Sequence, residues 1–410
     1  MPGHHHHSFA SSPGARRLTL WFLIPAAVLT AIGLLLLWPS QSLPGAKDAE
    51  GLIRVTGEVR TVTPVPCAEV PTGDPAPEGT CGTVTVRLSD GQTVEAEIPN
   101  GPGAVEVAPG DDIVLLRLLD GEGGQSQSYS IVDHQRGAEL WMLGAAFALA
   151  VIAFGRWRGL TALAGLGLTF VVLLLFVVPA ILDGKSPVLV AVVGAAAIML
   201  TVLYLTHGFS MTTTIAVAGT LASLTITALL SAAATAGTHL NGVADETANF
   251  LSITEGEINM RGLLLAGIVI GSLGVLDDVT VTQSATVAEL AQANPAYGFR
   301  QLYGAATRIG RAHIASVINT IVLAYAGASL PLMLLFAAGE TPVGELLTGQ
   351  LVAQELVRSA VGTIGLITAV PITTALAAYA ASRTPKPART ARPAPPPEDR
   401  WAAFADRQDS

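Results

Sequence analysis

The sequence predicts a polytopic α-helical membrane protein of about eight transmembrane helices. A small extracytoplasmic β-barrel, OB-like, is inserted after the first helix. Three observations predict this class. Half of the 410 residues are apolar and only 13% are charged, and mean hydropathy is +0.54, too apolar a balance for a soluble enzyme of this length. Apolar runs of roughly bilayer-crossing length recur at about 18–38, 139–155, 159–182, 187–206, 212–232, 262–281, 312–338 and 355–381. Between the first two runs, residues 39–138 break into short stretches that alternate apolar and polar, the period of half-buried strands.

In chain order, residues 1–17 read as a disordered cytoplasmic leader. His4–His7 resemble a tag fragment or a solvated leader, and no further ligand stands at a spacing that would make them a metal site. The first run, 18–38, reads as an uncleaved anchor. Its core exceeds the roughly 7–15 apolar residues of a signal peptide, and Trp38-Pro39-Ser40 follows it rather than a small-residue cleavage site.

Residues 50–133 form the predicted β-domain, with strands at 52–62, 82–88, 93–98, 112–118 and 127–133. Asp90-Gly91 marks a hairpin between the second and third. Five short strands in about 80 residues suggest a small barrel. Segment 39–138 carries 15 acidic and 6 basic residues, and Tyr129 is its only aromatic. That combination argues against nucleic acid, which such barrels bind through basic, aromatic faces. The acidity keeps the domain soluble, or it concentrates cations. Cys67 and Cys81 are the only cysteines and fall in this segment. An even pair in an oxidising compartment fits a disulfide; two unrelated thiols are the alternative.

A seven-helix membrane domain, 139–382, follows, and then a disordered Pro/Arg-rich cytoplasmic tail, 383–410. Arg16 and Arg17, Arg156 and Arg158, Arg300, Arg308 and Arg311, and Arg383, Lys386, Arg389 and Arg392 all fall on one side if eight spans are counted. The positive-inside rule makes that side the cytoplasm, with both termini inside and residues 39–138 outside.

The candidate site lies in the sixth run. There a glycine-lined apolar stretch leads directly into Asp277 and Asp278. Ionisable groups in a membrane helix are costly and are functional candidates by default. Gly267 and Gly271 form a G-x-x-x-G step, and with Gly274 they suggest close helix packing. Gly271, Gly274 and Asp278 share one helical face, with Asp277 beside it. The pair then points into an interface or polar cavity, with Asp278 the cavity residue and Asp277 its neighbour or a helix-end cap, or else both simply cap the cytoplasmic end of the span. The polar continuation through Gln283 leaves open whether the helix is continuous or broken at Asp277. On the seventh run Ser316 and Asn319 share a face. They serve either helix–helix hydrogen bonding or a solute or ion. On the eighth, Glu355 and Arg358 are spaced to pair, and Pro371 interrupts the run.

The stretches GSLGVLDDVTVTQSATVAELAQANP, GRAHIASVINTIVLAYAGASLPLML and ELVRSAVGTIGLITAVPITT resemble the YibE/F-like family of bacterial multi-pass membrane proteins. The resemblance extends over about residues 50–382. It implies a plasma-membrane location and suggests transport. Relatives often carry one Asp in a setting that Gly274 and Asp278-Val279 match. Their Gly-Arg-Asp near the seventh span is here Gly310-Arg311-Ala312.

Two functions are expected. One is a gradient- or partner-driven permease for an ion or small solute, since no G-x-x-x-x-G-K-[ST] occurs. The other is a non-transporting accessory protein whose outer β-domain binds a partner. An intramembrane aspartyl protease needs a second aspartate on another helix, and no H-E-x-x-H supports a metalloprotease. The chain therefore reads as no enzyme, and no cofactor is implied. Expected partners are the lipid bilayer, an ion or small solute and a protein at the β-domain.

Overall fold

The computed structural model describes residues 13–40, 52–66, 81–101, 103–120, 126–339 and 342–383. The chain divides into two compact units: Leu43–Leu163, and Met1–Ser42 with Ala164–Ser410.

The first unit contains β1 (Leu52–Val65), β2 (Cys81–Leu88), β3 (Thr93–Glu97), β4 (Asp112–Asp120) and β5 (Ser126–His134). They close into a barrel in the order β1-β2-β3-β5-β4. All pairings are antiparallel except β3 with β5. This is a five-stranded barrel of the kind expected. Alternate residues point inward, so Val59, Val84, Val86, Leu88, Ala96, Ile113, Leu115 and Ile131 are buried together. Asp90-Gly91 turns β2 into β3. Gly91 takes φ 89°, a value glycine reaches without strain, and the Asp90 carboxylate accepts the Gln92 N–H at 2.9 Å. Cys81 opens β2; Cys67 lies outside the described residues, as do His4–His7 and the tail from 384.

After the barrel, α2 (Gly137–Val172) departs from helical geometry at Arg156, with φ 52° and ψ −128°. Gly159 comes so close to Val151 that a Cβ there would lie 2.3 Å from its carbonyl oxygen. A straight helix would separate residues eight apart by about 12 Å. The chain therefore folds back at Arg156. Only a glycine at 159 leaves room for that approach.

In the second unit, α1 (Pro13–Leu36) lies with Gly33 against Val193, and Leu23 packs on the helical core. Beyond α2 come a π-helical turn (Leu173–Val177) and α3 (Val178–Leu182). Pro179 lacks the N–H that regular α pairing would use there. The helices α4 (Pro187–His207), α5 (Met211–Gly237), α6 (Glu246–Thr254), α7 (Met260–Ala293), α8 (Phe299–Ala328), α9 (Leu330–Ala338), α10 (Val343–Thr348) and α11 (Gln350–Ser382) follow. Ser210, Asp245 and Asn259 cap α5, α6 and α7 by accepting N–H bonds, which satisfies donors that a helix start leaves free. Ser40 donates its N–H to Asp183 at 2.7 Å, and Lys185 bonds the Trp38 carbonyl. The turn before α4 is thereby tied to the end of α1. The Ser40 hydroxyl and N–H hold the Asp183 carboxyl below its ordinary pKa.

Six helical segments among the described residues are long and apolar enough to cross a membrane: Gly137–Leu182, Pro187–His207, Met211–Gly237, Met260–Ala293, Phe299–Ala328 and Gln350–Ser382. At 46 residues, Gly137–Leu182 would extend about 69 Å if straight, against a hydrocarbon core of about 30 Å. Two boundaries differ from expectation. The predicted 312–338 run is instead α8 from Phe299 and a separate α9, so Arg300, Arg308 and Arg311 lie within a helix rather than in a loop. Pro331, with no N–H to donate, stops the α8 ladder. Conversely, α11 runs unbroken through Pro371, since packed membrane helices absorb the one missing bond.

Candidate functional site

The acidic pair sits midway along α7, which is one continuous helix. Leu276, Val279, Thr280 and Gln283 point into the bundle and are buried. Asp277 is half-buried, and its Oδ1 is shielded from solvent with no hydrogen-bond partner among the described residues. Asp278 is exposed, 100° further round the helix. It shares that outer face with Gly267, Gly271 and Gly274. A Cβ added at Gly267 or Gly274 would meet nothing within 4 Å, and one at Gly271 would reach only the Tyr325 hydroxyl of α8, at 4.0 Å, so among the described residues the glycine row makes no close helix contact. Ser316 and Asn319 are exposed on α8.

Gln283 is buried and bonded. Its Nε2 donates to the Ala306 carbonyl at 2.9 Å and to Thr374 Oγ1 at 2.7 Å. It thereby joins α7 to α8 and α11. Gly310 of α8 makes room for it, because a Cβ there would lie 2.7 Å from Gln283 Oε1. Three residues back, Thr280 Oγ1 meets Thr220 Oγ1 of α5 at 2.6 Å. Thr220, Thr280, Ser284 and Thr374 are all 0% exposed.

The packing glycines lie elsewhere. A Cβ at Gly219 of α5 would fall 2.2 Å from Thr373 Oγ1 of α11, and one at Gly365 of α11 would fall 2.0 Å from Thr227 Oγ1 of α5. These reciprocal notches bring the two helices together, as small residues do in membranes.

The same contact buries a column of hydroxyls. Thr220, Ser223, Thr227, Ser231 and Thr235 recur every three or four residues on one face of α5, all fully buried, and Thr373 stands across from them. Thr220 and Thr227 bond backward to their own helix. The hydroxyls of Ser223, Ser231, Thr235 and Thr373 have no partner among the described residues, nor does Gln354 Oε1. Each orphan costs about 1–3 kcal/mol. Sequence reading registers Ser223 and Thr227 only as polar residues of the fifth run. The fourfold repeat from Ser223 to Thr235 is the signal that could have singled them out.

Near the entry to α11, Glu355 and Arg358 pair at 2.8 Å, as their spacing suggests. A groove of about 570 Å³ between α1, α5 and α11 is walled by apolar residues, among them Phe22, Leu221, Leu376 and Tyr379, and includes neither aspartate.

Apolar helices of crossing length, packed about a polar seam, fit a membrane protein. The sequence profile of the YibE/F-like protein family matches residues 143–383, more than half of the chain, and the chain belongs to that family. The match begins beyond the β-barrel. No curated protein and no solved structure matches the chain.

Proposed function

We propose that this chain is a multi-pass plasma-membrane transporter of an ion or small solute, driven by a gradient or by a partner, and that it is not an enzyme. One observation carries the reading: Asp277 Oδ1 is buried in the middle of a continuous membrane-length helix with no hydrogen-bond partner among the described residues. A carboxylate kept there without a counter-charge is expensive, and handling an ion is the usual reason to retain one. Asp278 and the exposed Ser316 and Asn319 serve as entry groups in this reading.

The topology follows from eight spans. The Arg156 reversal divides Gly137–Leu182 into two crossings, and α1 supplies another. Both termini are cytoplasmic, and residues 39–138, with a Cys67–Cys81 disulfide, lie outside. Asp277 is then about 26 Å along α7 from Met260, towards the cytoplasmic half.

The test is flux into proteoliposomes of the purified protein, with Asp277→Asn and Asp278→Asn compared with wild type. Asp277→Asn should abolish transport, and Asp278→Asn should only weaken it. If both variants move every tested ion as wild type does, the role is wrong. The accessory reading draws on a cleft of about 540 Å³ on the barrel, bordered by Val62, Ile98, Val105 and Val107. A crosslinked partner that depends on residues 50–133, with no flux, would favour it.

A further inference from the structure

From the hydroxyl column we infer that the transported ion is the proton, and that its path is the seam between α5, α7 and α11. This rests on the transport reading above. Thr220 to Thr235 spans fifteen residues of α5, about 22 Å. The α5–α7 contact at Thr220 and Thr280 and the α7–α11 bond from Gln283 to Thr374 extend the polar line by roughly another turn. The whole length approaches the about 30 Å of the hydrocarbon core. Gln354, whose Oε1 has no partner among the described residues, stands near the Thr235 end, where Ala353 and Val357 pack in one cluster with Ala234.

Three features select the proton. The serines and threonines of the seam are 0% exposed, which leaves no bore for a hydrated ion or solute. Hydroxyls both donate and accept, so each can take a proton on one side and release one on the other. From Ser223 onward the hydroxyl residues stand four apart, about 6 Å of helix rise, the span of one bridging water with two hydrogen bonds of about 2.8 Å. A bound metal cation would instead need its oxygens gathered in a single shell. The orphaned hydroxyls of Ser223, Ser231, Thr235 and Thr373 are the groups such waters would meet. The antiparallel register set by Thr220 and Thr280 puts Asp277 level with Ser223. Its carboxylate takes up a proton there and gives the same proton back, so no bond is left changed after passage.

The test uses full-length protein in liposomes containing a pH-sensitive dye, under a potassium diffusion potential set with valinomycin. Wild type should acidify the lumen. Thr235→Val and Ser231→Ala should slow acidification at least tenfold, and Thr235→Ser should retain it. Thr235→Val should melt no lower than wild type, because its hydroxyl has no partner among the described residues to lose; that measurement separates a blocked path from a damaged fold. If wild type passes protons and both variants pass them equally well, the path is wrong. If wild type moves sodium or another cation but not protons, and Asp277→Asn stops that flux, this inference fails while the transport reading stands. If wild type moves nothing, both fail.

Discussion

Replacing Gly365 with alanine should destabilise the helical bundle, although alanine is the better helix former. A Cβ at 365 would lie 2.0 Å from Thr227 Oγ1 and 3.2 Å from its Cβ. Ordinary contact needs about 3.4 Å or more, so either α5 and α11 separate by more than an ångström or Thr227 turns away. Turning breaks the 2.9 Å bond from its hydroxyl to the Ser223 carbonyl. Overpacking of this kind costs about 1–3 kcal/mol, while Gly→Ala returns close to 1 kcal/mol through helix propensity. With a contact this short the clash falls at the upper end, which leaves a net loss of about 2 kcal/mol. Thr227→Ala in the same chain clears the oxygen and methyl that clash, so the double variant should recover at least half of that loss. The assay is thermal unfolding in detergent, followed by fluorescence-detected size exclusion. Gly365→Ala as stable as wild type, or a double variant no better than the single, would refute the notch.

Gln283→Leu should cost about 2 kcal/mol in the same assay, since it strands the Ala306 carbonyl and removes a donor to Thr374. In the barrel, Asp133 titrates below its ordinary value because the His134 N–H and the Arg136 guanidinium both bond its carboxylate. A depressed folded pKa means this stabilisation is present at neutral pH and lost as pH falls through that value. Arg136→Ala should therefore move the Asp133 titration partway back up, with the His134 contribution remaining. NMR titration of the side-chain carboxyl reads this directly, and an unchanged midpoint would contradict it.

The barrel was legible almost to the residue. Strict alternation reports which side of a strand faces the core, and Asp90-Gly91 admits few conformations. In the helical part, hydropathy reports only that a run is apolar, not which side of it packs. The glycine row on α7 suggests a packed face, yet the packed side is the one bearing Leu276, Thr280 and Gln283. Asp277 therefore ranks above Asp278 in burial, a difference of one residue and 100°. The α8 start was hidden because Arg300, Arg308 and Arg311 depress hydropathy while leaving the helix intact. Serines and threonines in α5 carry little signal by themselves, because most such hydroxyls in helices bond backward to their own carbonyls. That Ser223, Ser231 and Thr235 do not is a property of the packed bundle.

The barrel closes through unequal joints. Four of its pairings run over five to eight residue pairs, but β3 and β5 meet at one, Glu97 with Ser130. Closure there rests on a single rung, so mechanical or thermal opening begins along that line. It would present β3 and β5 as two adjacent free edges, the place among the described strands where an extended segment from another protein could add a strand without first breaking a long ladder.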